Sequence, residues 1–203
     1  MSRRWLSERK HDHYHRMARR QGYRSRAAFK LKQIDRRFGI LEGARYVLDL
    51  GAAPGGWLQV VSESVGDEGL VVGVDLDDIE PFGAENVRTI VGDVTKGETL
   101  ERIKKVYSGH WDIVLSDLSP NVSGIWEVDH PRQIHLARSA LRIAADILGP
   151  KGWFVVKVFQ GFEYEDFLSE ARKKFMFVKV FKPRASRRGS AEVYIIARGP
   201  LPG

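Results

Sequence analysis

The run Tyr46-Val47-Leu48-Asp49-Leu50-Gly51-Ala52-Ala53-Pro54-Gly55-Gly56-Trp57 constrains this chain more than any other stretch. Its first five residues, apolar apart from Asp49, read as a buried strand. The glycines after them read as a turn that opens a helix, the junction at which open α/β sheets form nucleotide pockets. Gly51, Gly55 and Gly56 let backbone approach a ligand where a Cβ would collide, and Pro54 removes a donor and stiffens the bend. The spacing is not the dinucleotide fingerprint G-x-G-x-x-G, because Ala53 stands at its second glycine. Such a turn is also ordinary punctuation between a strand and a helix, and the strands downstream of it decide between the two.

Three further apolar runs each end near an acid. Val71 to Val74 ends in Asp75, which lies 24 residues beyond Gly51; Val87 to Val91 ends in Gly92-Asp93; Trp111 to Ser116 ends in Asp117. A single Asp at such a place is most simply a helix cap. Three of them at the carboxyl edge of one sheet are better explained by an adenosine ligand, with Asp75 accepting from ribose hydroxyls, Asp93 from the adenine amino group, and Asp117 beside the reacting end.

Strand and helical stretches alternate along the chain. Ser25 is expected to cap a helix ending near Phe38, followed by the strand from Tyr46 and a helix over 56–65. Strands over 70–75, 87–91, 111–117, 153–158, 176–181 and 192–197 are joined by helices over 97–107, 131–148 and 163–174. The expected fold is an α/β, mostly parallel seven-stranded sheet with helices on both faces. Its last two strands, lacking a helix between them, pair antiparallel.

The net charge of +7 is unevenly placed: residues 1–40 hold 13 Lys and Arg against Glu8, Asp12 and Asp35, a local charge of +10 that leaves −3 for the rest. The chain thus divides into a basic N-terminal arm and helix, 1–40, and a near-neutral domain, 41–203. A basic arm on such a body points to a polyanion, most economically nucleic acid, although a charge run can also be a solvated face. Arg16, Arg19, Arg20, Arg24 and Arg26 in the arm, with Arg184, Arg187 and Arg188 near the C-terminus, are the candidate RNA contacts. His11, His13 and His15 alternate, but on a helix this spacing splays them over different faces, so no metal site is expected. No apolar run spans a membrane and no secretory signal is present, and the zero cysteines fit a reducing, cytoplasmic setting.

Two charges interrupt strands where apolar residues belong. Lys157 breaks Trp153-Phe154-Val155-Val156 and Val158-Phe159, and Glu192 precedes Val193-Tyr194-Ile195-Ile196. A buried lysine costs several kcal/mol unless paired or functional. A salt bridge from Lys157 to Asp117 or Glu192 without catalytic duty is one reading, and a catalytic base at the sheet edge is the other.

Together these motifs carry a resemblance. Tyr23 to Leu31, the Asp49 to Trp57 turn, Ser116-Asp117-Leu118-Ser119-Pro120-Asn121, Val155-Val156-Lys157 and Ser186 to Glu192 are similar to the FtsJ-like (RrmJ/RlmE) family of S-adenosylmethionine-dependent ribosomal RNA 2′-O-ribose methyltransferases. The match runs from about residue 10 to 198, with its motifs in the family's order. It implies a Rossmann-like methyltransferase sheet and a Lys-Asp-Lys-Glu tetrad at Lys30, Asp117, Lys157 and Glu192. It also implies cofactor contacts at Gly55, Trp57, Asp75, Asp93 and Asp117. The implied substrate is a uridine of large-subunit ribosomal RNA and the implied product S-adenosylhomocysteine, in a monomer needing no metal.

Methyl transfer from a sulfonium is an in-line displacement that requires alignment and the removal of one proton. A free lysine amine, with an ordinary pKa of about 10.4, is protonated near neutrality. Burial and the Lys30 charge favour a neutral Lys157, whereas Asp117 and Glu192 favour the ammonium; the sequence leaves the balance open. The expected division of labour is Lys157 as base, Asp117 as its orienting partner, and Lys30 with Glu192 positioning the ribose. C5 methylation of a pyrimidine needs a nucleophile, normally a thiolate, which this chain lacks. Asp117-Leu118-Ser119-Pro120 also departs from the Asn/Asp-Pro-Pro-aromatic motif of amino-methyltransferases. The remaining alternatives are a 2′-O-methyltransferase of tRNA or another RNA, and a non-catalytic ribosome-assembly factor on the same fold.

Overall fold

A computed structural model describes residues 13–187 and 189–202. Arg188, His11 and the first part of the basic arm lie outside the described residues. The elements run α1 (His13–Arg20), α2 (Ala28–Phe38), β1 (Tyr46–Leu50), α3 (Gly56–Val65), β2 (Leu70–Asp75), β3 (Val87–Val91) and α4 (Gly97–Val106). They continue with β4 (Trp111–Ser116), α5 (Trp126–Ile147), β5 (Leu148–Phe159), α6 (Tyr164–Lys174), β6 (Phe175–Phe181) and β7 (Glu192–Pro200).

The strands form one seven-stranded sheet in the order β3-β2-β1-β4-β5-β7-β6. The first five are mutually parallel and β7 is antiparallel to both neighbours, β5 and β6, as the missing helix between the last two strands required. β1 lies at the centre of the parallel part, and its residues from Val47 to Leu50 are fully buried, as expected for a strand covered on both faces. Successive side chains alternate: Leu48 and Leu50 face a core built with α4, α5 and α6, while Val47 faces a second core built with α1, α2 and α3. The order reverses between β1 and β4, which opens a crevice at their carboxyl ends.

Three local expectations change. Ser25 does not cap α2, which starts at Ala28 without a side-chain cap. Ser25 instead packs on the start of α3, where a Cβ on Gly56 would fall 2.2 Å from its Oγ. Helix α5 begins at Trp126 rather than near 131, with Pro131 inside it. Pro131 stands in the second turn and lacks the N–H that would bond to Glu127 O. The Asp129 carboxylate braces the helix start by accepting from Ser123 N, Ser123 Oγ and Gly124 N at 2.8, 2.8 and 2.9 Å. Strand β5 begins at Leu148, because a register shift against β4 between Trp111 and Ile113 absorbs residues 149–152.

Candidate active site

A cavity of about 670 Å³ opens at the carboxyl ends of the parallel strands. Gly51, Asp75, Asp93 and Asp117 line it, together with apolar walls from Leu76, Val94, Leu118, Pro131 and Leu136 and the polar side chains of Arg132 and His135. Two of its carboxylates, Asp75 and Asp93, are held by donors from nearby segments. Asp75 accepts from Ala53 N (2.9 Å) and Asp77 N (3.1 Å), which ties the end of β2 to the glycine turn. Asp93 Oδ1 accepts from Thr95 N (2.9 Å) and Thr95 Oγ1 (2.7 Å). Those two bonds hold the Asp93 carboxyl below the usual carboxylate range and keep it an anion.

The glycine turn is shaped by close approach. Gly51 has φ +80°, and a Cβ there would lie 3.0 Å from the Leu118 backbone, so glycine lets the ends of β1 and β4 meet. Gly55, Gly56 and Trp57 do not line the cavity wall. Trp57 is buried, its Nε1 donating to Ala27 O at 2.7 Å and its ring 5.9 Å from that of Tyr194. Arg24, expected among the RNA contacts, is taken up within the protein: its guanidinium donates to Pro54 O, Glu80 O and Pro81 O and lies 3.9 Å over the Phe82 ring. It clamps the glycine turn to the loop after β2.

Beyond Asp117, on the α2 side of the sheet, lie the two lysines and the glutamate. Lys157 Nζ is 3.2 Å from Asp117 Oδ1 and donates to Asp117 O at 2.7 Å. Lys30, carried into the site by α2, pairs with Glu192 at 2.8 Å. Tyr194 joins the two pairs: its hydroxyl donates to Asp117 Oδ1 at 2.7 Å, Lys30 Nζ lies 5.7 Å from its ring centroid, and it is the register partner of Lys157 across β5 and β7. Glu192 and Tyr194, two apart on β7, share a face. Lys30, Asp117, Lys157 and Glu192 are therefore brought into one constellation. Asp117 alone among them also lines the cavity.

Burial pulls Asp117 toward its neutral form, but the charges of Lys157 and Lys30 and the bonds from Tyr194 and Lys157 outweigh it and hold the carboxyl below its ordinary range. Burial, then the negative charges of Asp117 and Glu192, raise the Tyr194 phenol well above its ordinary value, so it stays a donor. Asp49 behaves oppositely. It is fully buried beneath the turn, and neither carboxyl oxygen has a hydrogen-bond partner. Burial first, then Asp117 and Asp75, push it well above the carboxylate range, favouring its neutral form.

The two basic clusters also meet. Arg26 donates through Nη2 to Ala185 O, and Ala185 N donates to Gln33 Oε1 at 3.1 Å, docking the loop between β6 and β7 onto α2. Arg16, Arg19 and Arg20 on α1 and Arg184 and Arg187 on that loop are exposed.

Sequence reasoning missed Tyr194, Asp49 and the cavity wall from α5. Tyr194 was hidden in a run of strand formers, although its place two residues after Glu192 put it on the same face. Asp49 was the polar residue in an apolar strand, the same signal that drew attention to Lys157.

A family model described as FtsJ-like methyltransferase matches residues 23–200. A relative named ribosomal RNA large subunit methyltransferase E, from Methanothrix thermoacetophila, is 54% identical over 187 residues, 92% of this chain and 72% of the relative. A crystal structure described as a ribosomal RNA methyltransferase, from Plasmodium falciparum, superposes with a TM-score of 0.78 at 26% identity, covering 89% of this chain and all (100%) of that one. Human methyltransferase-like protein 13, solved with SAH, shares the fold at a TM-score of 0.57 and 15% identity over 84% of this chain and 78% of its own.

Proposed function

The chain belongs to the FtsJ-like methyltransferase family, and from that premise we propose that it transfers a methyl group from S-adenosylmethionine to the 2′-hydroxyl of a uridine ribose in large-subunit ribosomal RNA. The observation that carries this reading is the position of Asp117, which borders the cavity on one side and holds the Lys157 amine on the other.

The cavity suits the donor. Leu76, Val94 and Leu118 offer flat apolar walls to an adenine, the anionic Asp93 accepts from its amino group, and Asp75 accepts from ribose hydroxyls. When bound, S-adenosylmethionine supplies a methyl group on a positively charged sulfur. The chain's own residues do the rest. Lys157, once the ammonium that pairs with Asp117 has released a proton to solvent, accepts the 2′-hydroxyl proton, and Asp117 stabilises the ammonium that re-forms. Lys30 and Glu192 fix the sugar, and Tyr194 holds the Asp117 carboxylate in place. The exposed arginines of α1 and of the loop between β6 and β7 draw in the phosphate backbone, while Arg24 and Arg26 hold the protein surfaces that display them.

The test is transfer of a labelled methyl group to ribosomal RNA followed by alkaline hydrolysis, with free RNA and intact large subunits in parallel. A 2′-O-methyl group blocks cleavage at its own phosphodiester, so the label is expected in an alkali-resistant dinucleotide containing uridine. Label released as a mononucleotide would place the methyl on a base and refute the reading.

A further inference from the structure

Beside the tetrad, at the corner where α5 and the loop after β5 meet, lies a surface that methyl transfer itself does not use. Trp126 is 40% exposed and Phe162 64%, with Val122 at 66% and Ile125 at 56% on the loop that leads to Trp126. Large apolar side chains gathered at one corner of a basic protein mark an interaction site rather than a solvent face.

The rings form a rigid shelf. Trp126 stacks on His130 at 5.2 Å and on Phe159 at 6.1 Å, both with an interplanar angle of 23°. Phe162 meets His130 edge-on at 4.7 Å. His130 is wholly buried, its Nε2 accepts from Glu163 N at 3.1 Å, and a Cβ on Gly161 would collide with it at 2.7 Å. The shelf is tied to the catalytic strand by the buried Gln133, which donates to Lys157 O at 2.6 Å and accepts from Phe159 N at 3.2 Å. Phe159 lies two residues beyond Lys157, on the same side of β5 and about 7 Å further along it.

We infer that this shelf, with Trp126 and Phe162 as its exposed rings, is a stacking subsite for a base of the single-stranded RNA acceptor, within one nucleotide of the ribose presented to Lys157. The inference rests on the reading that RNA is the acceptor. Its chemistry is that of single-strand recognition, in which unstacked bases lie on aromatic side chains while cations follow the backbone. Both halves are present here: flat rings pre-held by their neighbours, and exposed arginines at 16, 19, 20, 184 and 187 on the same chain. A lipid surface would match the apolar rings alone. An anionic strand with flat bases matches the rings and the arginines together.

Steady-state methylation of an RNA fragment carrying the mapped nucleotide tests it, with Trp126→Ala, Phe162→Ala and Trp126→Tyr, each also measured for S-adenosylmethionine affinity. Trp126→Ala is expected to raise KM for RNA roughly 5- to 150-fold, with donor affinity unchanged. Trp126→Tyr restores most of that loss, and Phe162→Ala, at the more exposed ring, shows a smaller rise in KM. Removing a base within one nucleotide of the target ribose should cost the wild type about as much and cost Trp126→Ala nothing more. An unchanged KM in both alanine variants overturns the proposal, as does an abasic penalty equal in wild type and variant. So does a wild-type dimer that Phe162→Ala dissociates, which would make the shelf a contact between two copies. Failure of the acceptor reading is seen separately, as a wild type that binds donor yet labels no RNA, and it removes the shelf proposal too.

Discussion

The two sides of the carboxyl edge are built by different means. On the cavity side Asp93 and Asp75 are satisfied by donors close in sequence or in the glycine turn: Asp93 by the backbone and hydroxyl of Thr95, and Asp75 by the backbone of Asp77 and Ala53. On the tetrad side the charged groups pair through side chains from distant segments, Lys30 with Glu192, Lys157 with Asp117 and Tyr194 with Asp117, and Lys157 also donates to the Asp117 carbonyl. Backbone donors fix the position of a charge without depending on the protonation of any other side chain, which suits a surface that only binds. Ion pairs between side chains make each charge depend on its neighbours, which suits a surface where a proton must move. Asp117 belongs to both sides, and Asp49, one strand away, shows what burial and neighbouring carboxylates do to a carboxyl without cations: its pKa is pushed up instead of down.

Breaking the joint gives the largest expected effect. Asp117→Ala leaves the Lys157 amine buried without its counter-ion and is expected to lower the single-turnover methylation rate by about 10²- to 10⁴-fold. The same variant should weaken donor binding measured by calorimetry. Asp93→Ala touches the cavity side alone. Losing a charged acceptor costs about 1.5–3 kcal/mol, or roughly 10- to 150-fold in donor affinity, and saturating donor should recover most of the rate. If Asp93→Ala slowed single turnover at saturating donor as much as Asp117→Ala does, the two sides would not be separable.

Tyr194→Phe sharpens the distinction from the tetrad side. It removes only the hydroxyl that donates to Asp117, so the rate should fall about 2- to 13-fold, from roughly 0.5–1.5 kcal/mol, without change in donor affinity. The smallest effect concerns stability and compares the two buried carboxyls. Asp49 keeps its proton in the folded chain well above its ordinary value of 3.8, so the folded state binds more protons than the unfolded one and stability falls as pH rises from there. Asp117 has the opposite sign: its contribution is present above 3.8 and is lost as pH falls through its lowered folded value. Thermal melts should therefore show Asp49→Asn raising Tm at neutral pH, with the gain vanishing in acid. A gain independent of pH would mean that folding does not raise the Asp49 pKa.

The same contrast explains what could be read from the sequence. The sheet was legible because buried parallel strands leave continuous apolar runs, and the cavity carboxylates were legible because each closes such a run. Lys157 and Glu192 stood out as charges within strand patterns, and a family resemblance grouped them with Lys30 and Asp117. Pairings were a different matter. Nothing local couples Lys30 to Glu192 rather than to Asp117, since those contacts exist only once α2 has packed on the sheet. Tyr194 is an ordinary strand residue until its hydroxyl meets Asp117. The start of α5 was misplaced because Pro131 marks a helix start in most contexts, whereas here the acids Glu127 and Asp129 mark the true first turn. Arg24 looked like one more charge in a basic run, and only its three carbonyl partners, in segments far along the chain, show that it works inside the protein.

The central claim is that the Lys157 amine accepts the ribose proton while Asp117 holds it. It is tested most directly by single-turnover methylation of ribosomal RNA by Lys157→Ala, with S-adenosylmethionine affinity measured on the same preparation. The predicted result is a rate lower by about 10²- to 10⁴-fold with donor affinity within a few-fold of wild type. A near-wild-type rate at intact donor binding would contradict it.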